Sequence, residues 1–137
     1  APIHRYEGSV WDQTYTYVRP QETGNKTDVR WMALSNGKIG LMAIGAPTFD
    51  GSVHQYPYED LDHVRHGQKH GKLDIKPKDQ VDWLIDYKQM GVGGDNSWGA
   101  RPHKKYTLDP RPYHYSFILV PFDAKDDLTH LSKLVID

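Results

Sequence analysis

Cysteine is absent from the sequence, so no disulfide framework, thiolate zinc site or cysteine nucleophile can be built from it. That absence leaves the compartment open. Net charge is almost absent as well: 17 Lys and Arg against 18 Asp and Glu leave −1 with histidine neutral, at pI ≈ 6.8. Such a balance offers no electrostatic footprint for nucleic acid and no polybasic or acidic tail. No apolar run reaches the ~18 residues a spanning helix requires. Mean hydropathy is −0.74, and no membrane association is expected. The opening residues 1–6 are already polar and charged, and no secretory leader is expected there. A length of 137 residues by itself sets an expectation of one domain.

Aromatic residues, by contrast, are plentiful. Four Trp, nine Tyr and three Phe make up 12% of the chain. Aromatics favour strands and bury large areas, so an all-β core is expected. Their rings also form platforms for the C–H faces of sugars. Nine prolines and 12 glycines, spread without repeats or low-complexity runs, suit short strands joined by tight turns.

Several segments alternate with period two. Residues 29–34 and 38–44 flank Ser35-Asn36-Gly37, and Asn-Gly between apolar runs is a strong hairpin signal. Val81, Trp83, Ile85 and Tyr87 fall on one face of a strand, opposite Asp82, Asp86 and Lys88. Tyr113, Tyr115, Phe117 and Leu119 repeat the pattern after Pro110 and Pro112, and residues 106–108 read as a shorter strand before them. Two segments read as helix. Residues 57–66 open on proline, carry Glu59 and Asp60 in the first turn and stop before Gly67. Residues 126–135 place Leu128, Leu131, Leu134 and Val135 on one stripe, the core of a helical tail over 122–137.

Three polar clusters are candidates for chemistry. His63, His66 and His70 have helical spacing, but Gly67 and Gly71 interrupt the helix and no acidic ligand is suitably placed. Solvated histidines at a helix C-terminus are the better reading than zinc. Glu22, within Arg19-Pro-Gln-Glu-Thr-Gly24, could serve as a catalytic carboxylate, but a glycosidase of the usual type needs two flanking one bond. A structural network of Arg19, Glu22, Asp28 and Arg30 is the expectation there. The third, Gly91-Val-Gly-Gly-Asp-Asn-Ser-Trp98, is neither a dinucleotide fingerprint nor a phosphate loop. Its glycines permit positive φ, and Asp95, Asn96 and Ser97 can bond to local backbone. Such a loop either presents the Trp98 ring at a fixed angle or is a turn around a buried tryptophan; composition leaves the two open.

Three stretches resemble one family. Tyr17-Val-Arg-Pro-Gln-Glu-Thr-Gly-Asn-Lys-Thr-Asp-Val-Arg-Trp31, Met90-Gly-Val-Gly-Gly-Asp-Asn-Ser-Trp98 and Arg111-Pro-Tyr-His-Tyr-Ser116 are similar, in order, to the C-terminal domain of bacterial β-galactosidases of glycoside hydrolase family 2, also called the β-galactosidase small chain. The similarity runs from about residue 6 to residue 120. It implies an antiparallel β-sandwich of the galactose-mutarotase-like supersandwich type, of which residues 1–137 cover the C-terminal half. It also corrects the one-domain expectation, since this looks like a fragment of a multidomain chain.

The implied reaction is retaining hydrolysis of terminal β-galactosides such as lactose. Its acid/base and nucleophile glutamates lie in a (β/α)₈ barrel outside this sequence, as do the ligands of the active-site magnesium and sodium. No catalytic or metal residue is expected in this chain. The resemblance assigns it one substrate-binding residue: Trp98, which in the family stacks on the sugar in the early, shallow mode and helps seat the leaving-group sugar. Gly93, Gly94, Asp95, Asn96 and Ser97 support its loop. Residues 99–103 and the tail after Phe122 match no pattern. Trp31 and Trp83 are expected in the core. The implied partners are a β-galactoside and the remaining domains of a parent enzyme, itself a homo-oligomer. Two rival readings stand beside this one: an autonomous carbohydrate-binding module, and a structural small subunit of a two-chain β-galactosidase.

Overall fold

The computed structural model describes residues 3–14, 24–57, 59–62, 75–91, 93–96 and 98–135. Its elements run β1 (Lys26–Ser35), β2 (Ile39–His54), α1 (Glu59–Asp62), β3 (Asp82–Asp86), β4 (Phe117–Asp123) and α2 (Leu128–Leu131), with a 3-10 turn at Lys104–Tyr106. The fold is all-β, as the alternating segments predict. β2 lies between β1 and β3, and β4 also pairs with β2; the β1 and β4 pairings are antiparallel. The chain divides into two compact units, Ala1–Asn25 with Ser52–Leu84 and Lys26–Gly51 with Ile85–Asp137.

The second unit is built around the hairpin that Asn36-Gly37 announces. Gly37 takes φ 89°, a left-handed value that fits glycine best. The Asn36 side-chain oxygen accepts from the N–H groups of Lys38 and Ile39, each at 3.0 Å. Directly opposed residues share a sheet face, so the register sorts the side chains. Trp31, Ile44 and Ile118 align across three strands, as do Ala33, Met42 and Val120. This face forms the core of Met42, Ile44 and Phe122, against which Leu128 and Leu131 of α2 pack. The opposite face carries Met32, Leu34, Leu41, Ala43, Leu119 and Pro121. It is equally apolar but partly open: Leu41 is 38% exposed and Leu119 49%.

Between Val29 and Trp31 the partner on β2 jumps from Phe49 to Ile44. The surplus residues form a bulge holding Pro47, which follows a cis peptide bond and has no N–H for the ladder. A second irregularity lies between Lys26 and Val29, where Asp28 takes φ 54°, a region Asp tolerates better than most residues. Beside these irregularities sits buried Asp50. One carboxylate oxygen accepts from the Asp28 N–H and the other from the Gln89 N–H, each at 3.1 Å.

Three element expectations are corrected. The C-terminal strand starts at Phe117, not Tyr113, and continues through Pro121 to Asp123. Residues 106–108 form no strand, because Tyr106 and Thr107 donate back to His103 and Lys104 in a 3-10 turn. The helical tail is a single turn. Asp127 caps it, accepting from the Thr129 N–H at 2.9 Å, but Lys133 and Leu134 return to i−3 carbonyls and tighten its end. Leu134 and Val135 are exposed, at 47% and 76%. The expected first helix appears as α1, and residues 63–66 of it lie outside the described residues.

In the first unit, Lys78 donates its backbone N–H to the Gln55 carbonyl at 2.7 Å and pairs its ammonium with Asp60 at 2.9 Å. His54 and Tyr56 are buried with ring centroids 5.2 Å apart. Burial pushes the Tyr56 phenol above its usual pKa.

Two stability predictions follow from this packing. Met42→Ala, in the closed face, lowers unfolding free energy by about 2–5 kcal/mol. Leu119→Ala, on the open face, stays within about 0.5 kcal/mol. Equal losses in urea titrations would mean that the two faces are wrongly assigned. Asp50→Ala orphans two backbone donors and costs about 1–3 kcal/mol. Asp50→Asn, retaining one acceptor oxygen, costs less, and the same titrations rank the two variants.

Candidate functional site

The segment that follows β3 is shaped by backbone contacts before any side chain acts. It is entered at Gln89, whose N–H is held by Asp50. Two residues on, the Gly91 N–H donates to the Tyr106 carbonyl at 2.8 Å and closes the mouth of the loop. Higher in the loop, a Cβ at Gly94 would meet the Ala100 carbonyl oxygen at 2.6 Å, so only glycine lets the two limbs approach. Gly93 and Gly99, either side of Trp98, adopt φ 82° and 103°. Between them the Asn96 side chain accepts the Trp98 N–H at 2.9 Å, a local turn that replaces ladder pairing.

The result is an aromatic ring held out into solvent. Trp98 is 93% exposed, whereas Trp11, Trp31 and Trp83 are half-buried. Trp31 packs against the Met42 core. The Trp83 indole nitrogen is buried with no hydrogen-bond partner among the described residues. Of the loop-support residues, Gly93, Gly94, Asp95 and Asn96 lie together beside Trp98, and Ser97 lies outside the described residues.

The loop also contains a residue that sequence reasoning missed. The Asp95 carboxylate and the His103 Nε2 stand 2.7 Å apart across it. A carboxylate only accepts, so Nε2 carries the proton. His103 itself is seated on the 3-10 turn, its carbonyl accepting the Tyr106 N–H at 2.8 Å. An eight-residue separation has no local periodicity, and nothing in the pattern marks it. An open depression lined by Met90, Arg101, Pro102, Lys104 and Thr107 lies in the same segment.

The other candidates fare differently. Arg19, Glu22, His63, His66 and His70 lie outside the described residues. Asp28 gives its backbone N–H to Asp50. No ion pair joins it to Arg30, so that part of the expected network is absent from the described residues. Among the described residues no three His, Asp or Glu side chains come together as metal ligands. The 111–116 motif forms an aromatic ladder rather than a strand face. Tyr87 lies 5.5 Å from Tyr113 and 5.7 Å from Tyr115. The Tyr115 hydroxyl donates to the Ile85 carbonyl at 3.1 Å.

A family model described as "Beta galactosidase small chain" matches residues 1–119. A β-galactosidase of Priestia megaterium is 41% identical over 88% of this chain, and one of Lactobacillus delbrueckii is 36% identical over 76%. One of Alteromonas mediterranea is 34% identical over 85%. The chain spans only about a tenth of the length of these relatives, 11%, 10% and 10% respectively. With the family model covering most of its length, the chain belongs to the β-galactosidase small-chain family.

Proposed function

We propose that this chain is a non-catalytic part of a retaining β-galactosidase and contributes Trp98 to the wall of an active site completed by the rest of the parent. The observation that carries the reading is the exposure of Trp98, 93%, on a loop whose backbone is fixed on both sides of it. A large apolar ring left in water is a cost unless a ligand or partner covers it. Its face suits the C–H face of a galactoside, and its indole N–H can donate to a hydroxyl. The two glutamates of the reaction belong to the remainder of the parent. On the same reading, the ligands of its magnesium and sodium belong there as well. What this chain does is bind, orient and exclude water.

The open apolar face of the sheet supports the same assignment. Leu41 and Leu119 project from it at 38% and 49% exposure. In the parent, preceding domain structure covers that face, which completes a sandwich.

Isolated, the chain shows only background hydrolysis of a chromogenic β-galactoside at neutral pH. Turnover that survives repurification and falls on mutating Asp95 would overturn the reading. Appreciable galactose affinity in the chain alone would transfer it to the class of self-contained sugar-binding modules. In the intact parent, Trp98→Ala removes a stacking contact worth about 3 kcal/mol with the area it covers. KM rises strongly and kcat changes less, because ground state and transition state both use the ring. Trp98→Phe recovers part of the loss. Trp31→Ala lowers the melting temperature instead, with little specific effect on KM. Steady-state kinetics beside melting curves on these variants separates a binding ring from a packing ring.

A further inference from the structure

Trp98 is held out by its loop, yet none of the loop's backbone contacts explains the Asp95–His103 pair. We infer that His103 is a positioning residue for sugar binding: through Asp95 it braces the loop that presents Trp98. The inference rests on the reading of Trp98 as the galactoside-stacking ring. Three observations carry it. First, the pair spans the loop, with Trp98 lying between its two members in sequence and the Nε2–carboxylate distance at 2.7 Å. Second, each member is seated on a separate fixed base. His103 begins the 3-10 turn, with its carbonyl taken by the Tyr106 N–H at 2.8 Å and the Thr107 hydroxyl at 3.3 Å. Asp95 follows Gly94, whose backbone lies against Ala100. Third, the Trp98 ring is almost wholly exposed and has little packing of its own to fix its direction. Its orientation is therefore set by the backbone on either side of it, which is what a brace across the loop controls.

The magnitude is bounded by exposure. The side chains of His103 and Asp95 are 59% and 82% exposed, and water screens such a pair. The effect on binding is a few-fold, not orders of magnitude. A pre-organised ring loses less freedom when sugar arrives, so the brace acts on affinity rather than on the bond-breaking step.

The test is a kinetic cycle in the β-galactosidase that carries this segment, using a chromogenic β-galactoside. His103→Ala is expected to raise KM two- to fivefold, with a smaller change in kcat. His103→Gln, whose amide N–H can donate where Nε2–H did, recovers at least half of that change. In a Trp98→Ala background His103→Ala adds nothing further, because there is no ring left to hold. An equal KM increase with and without Trp98 would overturn the inference. So would identical behaviour of the Ala and Gln variants, or no change in either. If Trp98→Ala leaves KM untouched, the stacking reading fails, and the brace is judged by a second measurement that does not involve activity. In the 5-fluorotryptophan-labelled chain, the Trp98 fluorine resonance is assigned by its loss in Trp98→Phe. Shift or broadening of that resonance in His103→Ala, restored in His103→Gln, shows the brace at work. An unchanged resonance in both variants rejects it.

Discussion

The buried carboxylate of Asp50 is the constraint on which this structure turns. A charged group taken out of water is tolerated only when donors replace its hydration. Here they are two backbone N–H groups, Asp28 on β1 and Gln89 after β3, each at 3.1 Å. The carboxylate therefore fastens together two segments 61 positions apart in numbering, at a place where β1 and β2 fall out of simple register. At Asp28 a regular ladder would have satisfied the N–H through a neighbouring carbonyl. The irregular strand cannot, and a side chain supplies the acceptor instead.

That fastening matters because of what starts at Gln89. The next residues lead into the loop that carries Trp98, and the Gly91–Tyr106 bond closes it immediately. A ring exposed in solvent has little packing of its own to hold it, so its direction is inherited from the chain. The loop obtains that stiffness from close approach at Gly94, a local turn at Asn96 and the contact across to His103. None of these buries much apolar area. Each removes backbone freedom in advance, which is how a loop with the sugar-binding role proposed for this one gains affinity without a larger interface.

Much of the sheet was legible in the residues. The apolar runs around Asn36-Gly37 allowed little but a hairpin, and the alternation of Val81, Trp83 and Ile85 marks β3. The tail shows where such reading fails. Leu128, Leu131, Leu134 and Val135 share one helical stripe, yet only the first two find the Met42 core to pack against. Without packing, a short helix has too few hydrogen bonds to persist, so α2 stops after one turn. Tyr113 and Tyr115 alternate like strand residues. Their rings instead pack at a tilt around Tyr87, and Tyr115 bonds to a β3 carbonyl, so the backbone joins the ladder only at Phe117.

Composition and local pattern determined the all-β class, the hairpin, the absence of thiol chemistry and the candidacy of the Gly-Gly-Asp-Asn-Ser-Trp segment. These rest on periodicity and turn chemistry, which act between residues close along the chain. Tertiary structure decided that Trp98 stands in solvent, where composition left a presented ring and a buried one both open. Trp31 meets the Met42 core through its register opposite Ile44, whereas Trp98 lies on a loop outside every strand and is 93% exposed. It also decided that Asp28 contributes a backbone N–H rather than a charge, and that Asp50 and His103, unremarkable in sequence, brace the segment bearing the ring. The partners of a buried or bridging polar group are whatever the fold brings within 3 Å, and chain neighbours do not encode that.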